Sequence, residues 1–100
     1  MKEINGDIFD IFMQNVEEPV LVLFGADWCQ PCKRFKPVFE WSAKHNRHVT
    51  HVYANVDTLS KQTLAEYDVM SVPRLVMVNA DDKRIIENSY QAILEEVQNV

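Results

Sequence analysis

The order of apolar and polar positions predicts five strands and four helices along the 100-residue chain. The continuous apolar run at residues 20–24 is typical of a central strand that is covered on both faces. Further strands are predicted at residues 2–4, from 48 or 49 to 56, at 74–78 and at 83–88. Helices are predicted at residues 5–16, 31–45 and 90–98, with another that begins near 57–60 and reaches 67.

Helical spacing also predicts which side of each helix faces the core. In the helix at residues 5–16 these are Ile8, Phe9, Ile11, Phe12 and Val16. In the helix at 31–45 they are Phe35, Val38, Phe39 and Ser42 or Ala43, and in the helix at 90–98 they are Ile93, Leu94 and Val97. Pro37 lies inside the second helix, where it removes one backbone hydrogen bond and is expected to kink the helix.

The element order βαβαβαββα predicts an α/β fold, with a central mixed sheet of five strands flanked by four helices on both faces. Parallel strands require helical crossovers, which follow the first and second strands. The short turn at residues 79–82 makes the last two strands antiparallel. The chain is expected to form one domain over residues 1–100, because its length and lack of linkers leave no boundary.

Composition and charge exclude several function classes. Apolar residues make up 47% of the chain, which is enough for one core without disulfide stapling. The net charge of −5 argues against nonspecific nucleic-acid binding. No apolar run approaches the roughly 20 residues of a membrane span, and the first residues lack a secretory pattern. We therefore expect a cytoplasmic protein, a setting in which paired cysteines are more often catalytic or metal-binding than structural.

The two cysteines, Cys29 and Cys32, stand where the strand at residues 20–24 leads into a helix. A helix N-terminus has unpaired N–H groups and a partial positive charge, which stabilise a thiolate. Pro31 suits the first turn, where its missing N–H costs nothing. We expect Cys29, at the mouth of the helix, to be the attacking nucleophile and Cys32, one turn further in, to be the resolving thiol.

Residues 33–47, which cover most of this helix, are locally basic. They contain one acid, Glu40, and five bases, namely Lys33, Arg34, Lys36, Lys44 and Arg47. Two interpretations stay open. The charges form an ordinary solvated face, or they create a field that favours the Cys29 thiolate and attracts anionic partners.

The segment Trp28-Cys29-Gln30-Pro31-Cys32-Lys33 resembles the Trp-Cys-Gly-Pro-Cys-Lys motif of the thioredoxin family, with Gln30 in the usual glycine position. The element order is similar to the thioredoxin fold over almost the whole chain, including the N-terminal strand and helix that glutaredoxins lack. The resemblance implies that Val72-Pro73 is the cis-proline segment opposite the cysteines, and that the Val72 backbone pairs with an extended substrate. The implied substrate-binding residues are Trp28, Gln30, Pro31, Val72, Pro73 and Arg74.

The sequence departs from the family pattern at several positions. Leu23 stands where thioredoxins usually have a buried aspartate near the resolving cysteine, and Tyr53 stands where a lysine usually accompanies it. Without these charges, deprotonation of Cys32 would depend on solvent or on the leaving thiolate. Arg74 replaces the usual threonine after the cis-proline and favours an acidic segment or a carboxylate, unless it simply faces solvent. Ser89 replaces a glycine that often follows the last strand.

The resemblance implies a thiol–disulfide oxidoreductase that reduces protein disulfides through the redox-active pair Cys29 and Cys32, with no bound cofactor and with a thioredoxin-reductase-like flavoprotein as electron donor. We expect a monomer. One alternative is a glutathione-linked or more oxidising exchange catalyst. The other is a binding or assembly subunit that uses the same groove without redox chemistry.

A metal site formed by His45, His48 and His51 with the two cysteines is a weaker hypothesis. A whole helix separates the histidines from Cys29 and Cys32, so we expect no metal.

Overall fold

The computed structural model describes residues 1–100 and confirms the predicted order of elements. The strands are β1 (Lys2–Glu3), β2 (Val20–Gly25), β3 (Thr50–Asn55), β4 (Arg74–Asn79) and β5 (Asp82–Ile86). The helices are α1 (Gly6–Asn15), α2 (Gln30–His45), α3 (Lys61–Glu66) and α4 (Tyr90–Gln98). A 3₁₀ turn at Val56–Thr58 delays the start of α3, whose N-cap Ser60 accepts a hydrogen bond from the backbone N–H of Thr63.

The five strands form one mixed sheet in the order β1-β3-β2-β4-β5. β3 is parallel to both β1 and β2, while β4 is antiparallel to β2 and to β5. β2 is therefore the central strand, and all six of its residues are buried, as its apolar sequence predicted. The carboxyl end of β2 leads directly towards the cysteines.

The two faces of the sheet carry separate cores. Side chains alternate between faces along each strand, so Val22 and Phe24 pack on one side and Leu21 and Leu23 on the other. The larger buried residues of the first core are Phe9, Val20, Val22, Phe24, Val52, Tyr67, Val76 and Val78. Those of the second are Leu21, Leu23, Phe39, Val49, Leu75, Met77, Ile93 and Val97.

Helix α1 differs from the prediction at two of its apolar residues. Ile8 and Ile11 are 68% and 59% exposed, so their assignment to the core was wrong. The helix rests on the sheet through Phe9, Phe12 and Met13, which share one face at helical spacing. The apolar residues of α1 span more of its circumference than the sheet can cover.

The three histidines make structural contacts. His51 is buried, and its Nδ1 lies 2.8 Å from the carbonyl oxygen of Val49, which can only accept. Its Nε2 therefore accepts the hydrogen bond from Ser42 Oγ at 2.8 Å. Burial lowers the pKa of His51, outweighing the opposing effect of its bond to Val49. His48 Nε2 lies 2.7 Å from the carbonyl oxygen of Val97.

His45 Nδ1 lies 3.0 Å from the carbonyl oxygen of Trp41, within the last turn of α2. Cys32 and His45 are thirteen positions apart on this helix, which is about 20 Å along its axis.

No helix of the chain combines the length and the apolar character that crossing a bilayer requires.

Candidate active site

The cysteines lie where the sequence placed them, at the N-terminus of α2 and next to the end of β2. Cys29 is the N-cap of the helix, and Cys32 occupies its first turn. A disulfide joins them, with their Cα atoms 5.2 Å apart. The backbone N–H of Cys32 points at Cys29 Sγ over 3.2 Å. This sulfur therefore receives a hydrogen-bond donor from the positive end of the helix, the arrangement that stabilises a thiolate.

The disulfide is covered on its inner side. Cys29 and Cys32 are 4% and 2% exposed and pack with Ala26 in a small apolar cluster. Val72 packs against this cluster, and the Val72–Pro73 peptide bond is cis. The predictions of a cis bond and of its position opposite the cysteines are both confirmed.

Trp28 directly precedes Cys29 and is 65% exposed. Its indole Nε1 donates a hydrogen bond of 2.9 Å to Asp57 Oδ2. Asp57 is fixed in turn, because its backbone N–H donates to the side chain of Asn55 at 2.9 Å. The indole is thus held over the start of the 3₁₀ turn rather than free to rotate.

An apolar groove of about 170 Å³ opens between Trp28 and the cis-proline segment. Its lining residues are Trp28, Val56, Leu64, Val69, Met70, Ser71 and Val72. Met70 is 85% exposed. It follows α3 in the segment that leads to the cis-proline.

The remaining predicted binding residues surround the cysteines in different ways. Gln30 and Pro31 are exposed on the first turn of α2. Pro73 is half-buried, and its carbonyl oxygen accepts a hydrogen bond of 2.9 Å from Asn88. Arg74 opens β4 opposite Phe24 and is half-buried rather than solvent-facing. Its Nε is buried without a hydrogen-bond partner.

Leu23 and Tyr53, the two departures from the family pattern, lie side by side. They are paired in the register of β2 and β3. Leu23 is buried in the core beneath α2. Tyr53 is 4% exposed, and its hydroxyl comes within 2.6 Å of where a Cβ on Gly25 would stand. Burial raises the pKa of Tyr53, and the charges of Asp27 and Glu3 add to the effect.

Sequence reasoning missed Asp57 and Met70 as parts of this site. No local pattern shows that Asp57 meets an indole 29 positions away. The exposed Met70 follows a helix that is too short to show a clear apolar face.

The chain matches the family model described as Thioredoxin over residues 1–98. It is 41% identical over 78 residues to thioredoxin C-3 of Corynebacterium nephridii, covering 77% of this chain and 52% of that protein. It is 35% identical over 88 residues to a bifunctional thioredoxin reductase/thioredoxin of Mycobacterium leprae, covering 85% of this chain and 19% of that protein. The match to the Corynebacterium relative thus spans only about half of that relative's length.

Among solved structures, a thioredoxin of Plasmodium falciparum superposes with a TM-score of 0.83 at 22% identity, covering 99% of this chain and 98% of that one. At this level of identity the superposition shows the fold alone. It confirms the predicted arrangement of a mixed five-stranded sheet and four helices.

Proposed function

The chain belongs to the thioredoxin family, and we propose that it is a thiol–disulfide oxidoreductase that reduces disulfide bonds in partner proteins. The observation that carries this proposal is the Cys29–Cys32 disulfide, held at the N-terminus of α2 beside an exposed apolar groove. One side of this site supplies the reactive sulfurs, and the other offers apolar surface to a partner.

The reaction begins with the reduced dithiol. The Cys29 thiolate attacks one sulfur of the partner's disulfide, a bond forms between them, and the partner's other sulfur leaves as a thiolate and takes up a proton. Cys32 then loses its proton to water and attacks Cys29 Sγ. The mixed disulfide breaks, and the partner's second sulfur leaves as a thiolate. The partner has gained two electrons, and the protein is left with the Cys29–Cys32 disulfide that the structure contains.

The groove supports the idea that the partner is a protein segment. Trp28, Met70 and Val72 present apolar surface next to Cys29. An extended segment that lies along the groove meets the backbone of residues 71–73, where short strand-like pairing would hold its disulfide in place. Gln30, Pro31 and Arg74 border the same region and complete the proposed binding surface.

Regeneration of the dithiol requires an external electron donor, and we propose a thioredoxin-reductase-like flavoprotein. Similarity to a bifunctional thioredoxin reductase/thioredoxin supports this choice. The proposed direction of the reaction suits a compartment that keeps thiols reduced, so we also propose a cytoplasmic location. The monomeric state and the lack of a bound cofactor stay predictions.

The test is reduction of a disulfide-bonded protein by the purified chain, with dithiothreitol as electron source. Cys29→Ser is expected to reduce the rate to that of dithiothreitol alone, because the nucleophile is lost. Cys32→Ser, reduced beforehand and then freed of dithiothreitol, is expected to trap the partner as a mixed disulfide. If both variants reduced the partner as fast as the unaltered chain, the proposed function would be wrong, and a redox-independent binding role would remain.

A second candidate is exchange with glutathione. Arg74 favours it, since a half-buried guanidinium with an unpaired Nε next to the cis-proline is suited to a carboxylate. The equilibrium reduction potential of the Cys29–Cys32 pair separates the two candidates. A value near about −270 mV supports protein-disulfide reduction, whereas a value between about −200 and −120 mV supports glutathione-linked or oxidising exchange.

A further inference from the structure

Tyr53 reaches from β3 to the base of the turn that carries the cysteines. Its hydroxyl lies 2.6 Å from where a Cβ on Gly25 would stand, so the phenol fills the space that a side chain there would take. Gly25 directly precedes Ala26, which packs against both cysteines. The polar end of Tyr53 is therefore beneath the active-site turn, on the side of the sheet that α2 covers.

Lys36 closes the same space from the helix. Its Nζ lies 4.4 Å from the centroid of the Tyr53 ring, a cation–π contact between α2 and β3. Lys36 is four residues after Cys32 on α2, so the two side chains share one face of the helix, one turn apart. The contact with Tyr53 keeps the ammonium group on the inner side of the helix instead of free in solvent.

The charges around this space have opposite signs. Burial and the charges of Asp27 and Glu3 raise the pKa of Tyr53, so its phenol is neutral at pH 7 and acts as a donor. Lys36 contributes a positive charge from α2 that is half-buried against the ring. Asp27 is exposed, so water screens its negative charge more strongly. Lys36 is thus the nearby charge that can favour an anion at Cys32, and the neutral phenol of Tyr53 adds a hydroxyl donor on the same side of the sheet.

We propose that Tyr53 and Lys36 are positioning residues that stabilise the Cys32 thiolate during the resolving step. This inference rests on the proposed function, and it supplies what Leu23 cannot, since Leu23 has no charge or proton. When Cys32 gives its proton to water, the ammonium of Lys36 and the hydroxyl dipole of Tyr53 favour the anionic sulfur. More Cys32 is then in the attacking form at neutral pH, so the bond between Cys29 and the partner sulfur breaks sooner.

The experiment follows the two steps separately with a small aromatic disulfide that releases a coloured thiolate at each step. The first release reports attack by Cys29, and the second reports resolution by Cys32. Stopped-flow traces over a range of pH give one midpoint for each step. Tyr53→Phe removes the hydroxyl but keeps the ring, and Lys36→Gln removes the charge.

Lys44→Gln serves as the matched control. It makes the same change in net charge at an exposed position twelve residues beyond Cys32 on α2, which is about 18 Å along the helix axis. Its effect on both midpoints should be negligible at ordinary ionic strength.

We expect Lys36→Gln and Tyr53→Phe each to raise the second midpoint by about half to one pH unit. The second release then slows about three- to tenfold below that midpoint, and the first midpoint stays unchanged. An unchanged second midpoint in both variants would overturn the inference, as would an equal shift in Lys44→Gln. A reduced wild-type chain that releases no thiolate at all would instead overturn the proposed function. Cys32→Ser, which should give only the first release, confirms the assignment of the two steps.

Discussion

Replacing Gly25 by alanine tests the placement of Tyr53 directly. The added Cβ would stand 2.6 Å from the Tyr53 hydroxyl, 3.0 Å from its Cζ and 3.2 Å from its Cε1. These distances are shorter than ordinary contacts, and the site is buried between the sheet and α2, so either the ring or the strand must shift. Overpacking of this kind costs about 1–3 kcal/mol. The reduced entropy of the unfolded chain returns about 0.4–1 kcal/mol.

The free energy of unfolding is therefore expected to fall by about 1–2 kcal/mol. Each kcal/mol lost should lower the melting temperature by about 4–8 °C. Chemical unfolding followed by tryptophan fluorescence measures it. In the double variant Gly25→Ala, Tyr53→Phe the hydroxyl, which is the nearest atom, is gone. The double variant should therefore lose less stability than the two single variants lose together, and the difference should be about 1 kcal/mol.

Gly6 provides the control for this comparison of single and double variants. Its φ of +61° is a conformation that disfavours alanine, while its nearest neighbour atom would be 3.9 Å away from an added Cβ. Gly6→Ala should therefore also destabilise the fold, for a backbone reason, and its effect should simply add to that of Tyr53→Phe. If Gly25→Ala proved neutral, or if its loss were equally additive with Tyr53→Phe, the argument that the phenol occupies this space would fail.

Two further predictions concern Asp57 and His51. Asp57→Ala removes the acceptor of the Trp28 indole, so the tryptophan should become more mobile and protein substrates should bind about two- to fivefold more weakly. Fluorescence anisotropy and KM measure the two effects, and an unchanged anisotropy would contradict them. Because burial lowers the pKa of His51, the folded protein binds this proton less readily than the unfolded chain does. The contribution of His51 to stability should be constant above about pH 6.5 and fall below it by up to about 1.4 kcal/mol per pH unit. Urea midpoints at successive pH values test this, and His51→Gln should flatten the dependence.

The reactive part of the site could be predicted from the sequence because it is built from consecutive residues. A buried apolar strand followed by Cys29, Pro31 and Cys32 specifies a strand, a tight turn and a helix start within a few positions. The cis bond at Pro73 depended on the family resemblance, since the local sequence alone gives only a minor preference for it. Its position opposite the cysteines was likewise implied by the resemblance.

The supporting parts of the site depend on contacts between distant residues. The indole of Trp28 meets Asp57 across 29 positions, and the parallel pairing of β2 with β3, whose carboxyl ends lead to these two residues, brings them together. The exposure of Ile8 and Ile11 depends likewise on how much of α1 the sheet covers, which apolar spacing does not determine. Periodicity finds the apolar residues of a helix, but the neighbouring element decides which of them are buried.

Tyr53 departs from the family pattern, and its position is explained only together with Gly25. Gly25 has no positive φ, so its backbone conformation does not require glycine, and the reason for glycine must be space. That space is taken by Tyr53, which crosses from the neighbouring strand. A large side chain at position 25 and a tyrosine at position 53 exclude each other, so the two positions must change together. The phenol thus reaches the base of the active-site turn because the central strand has a glycine, and so no side chain, at position 25.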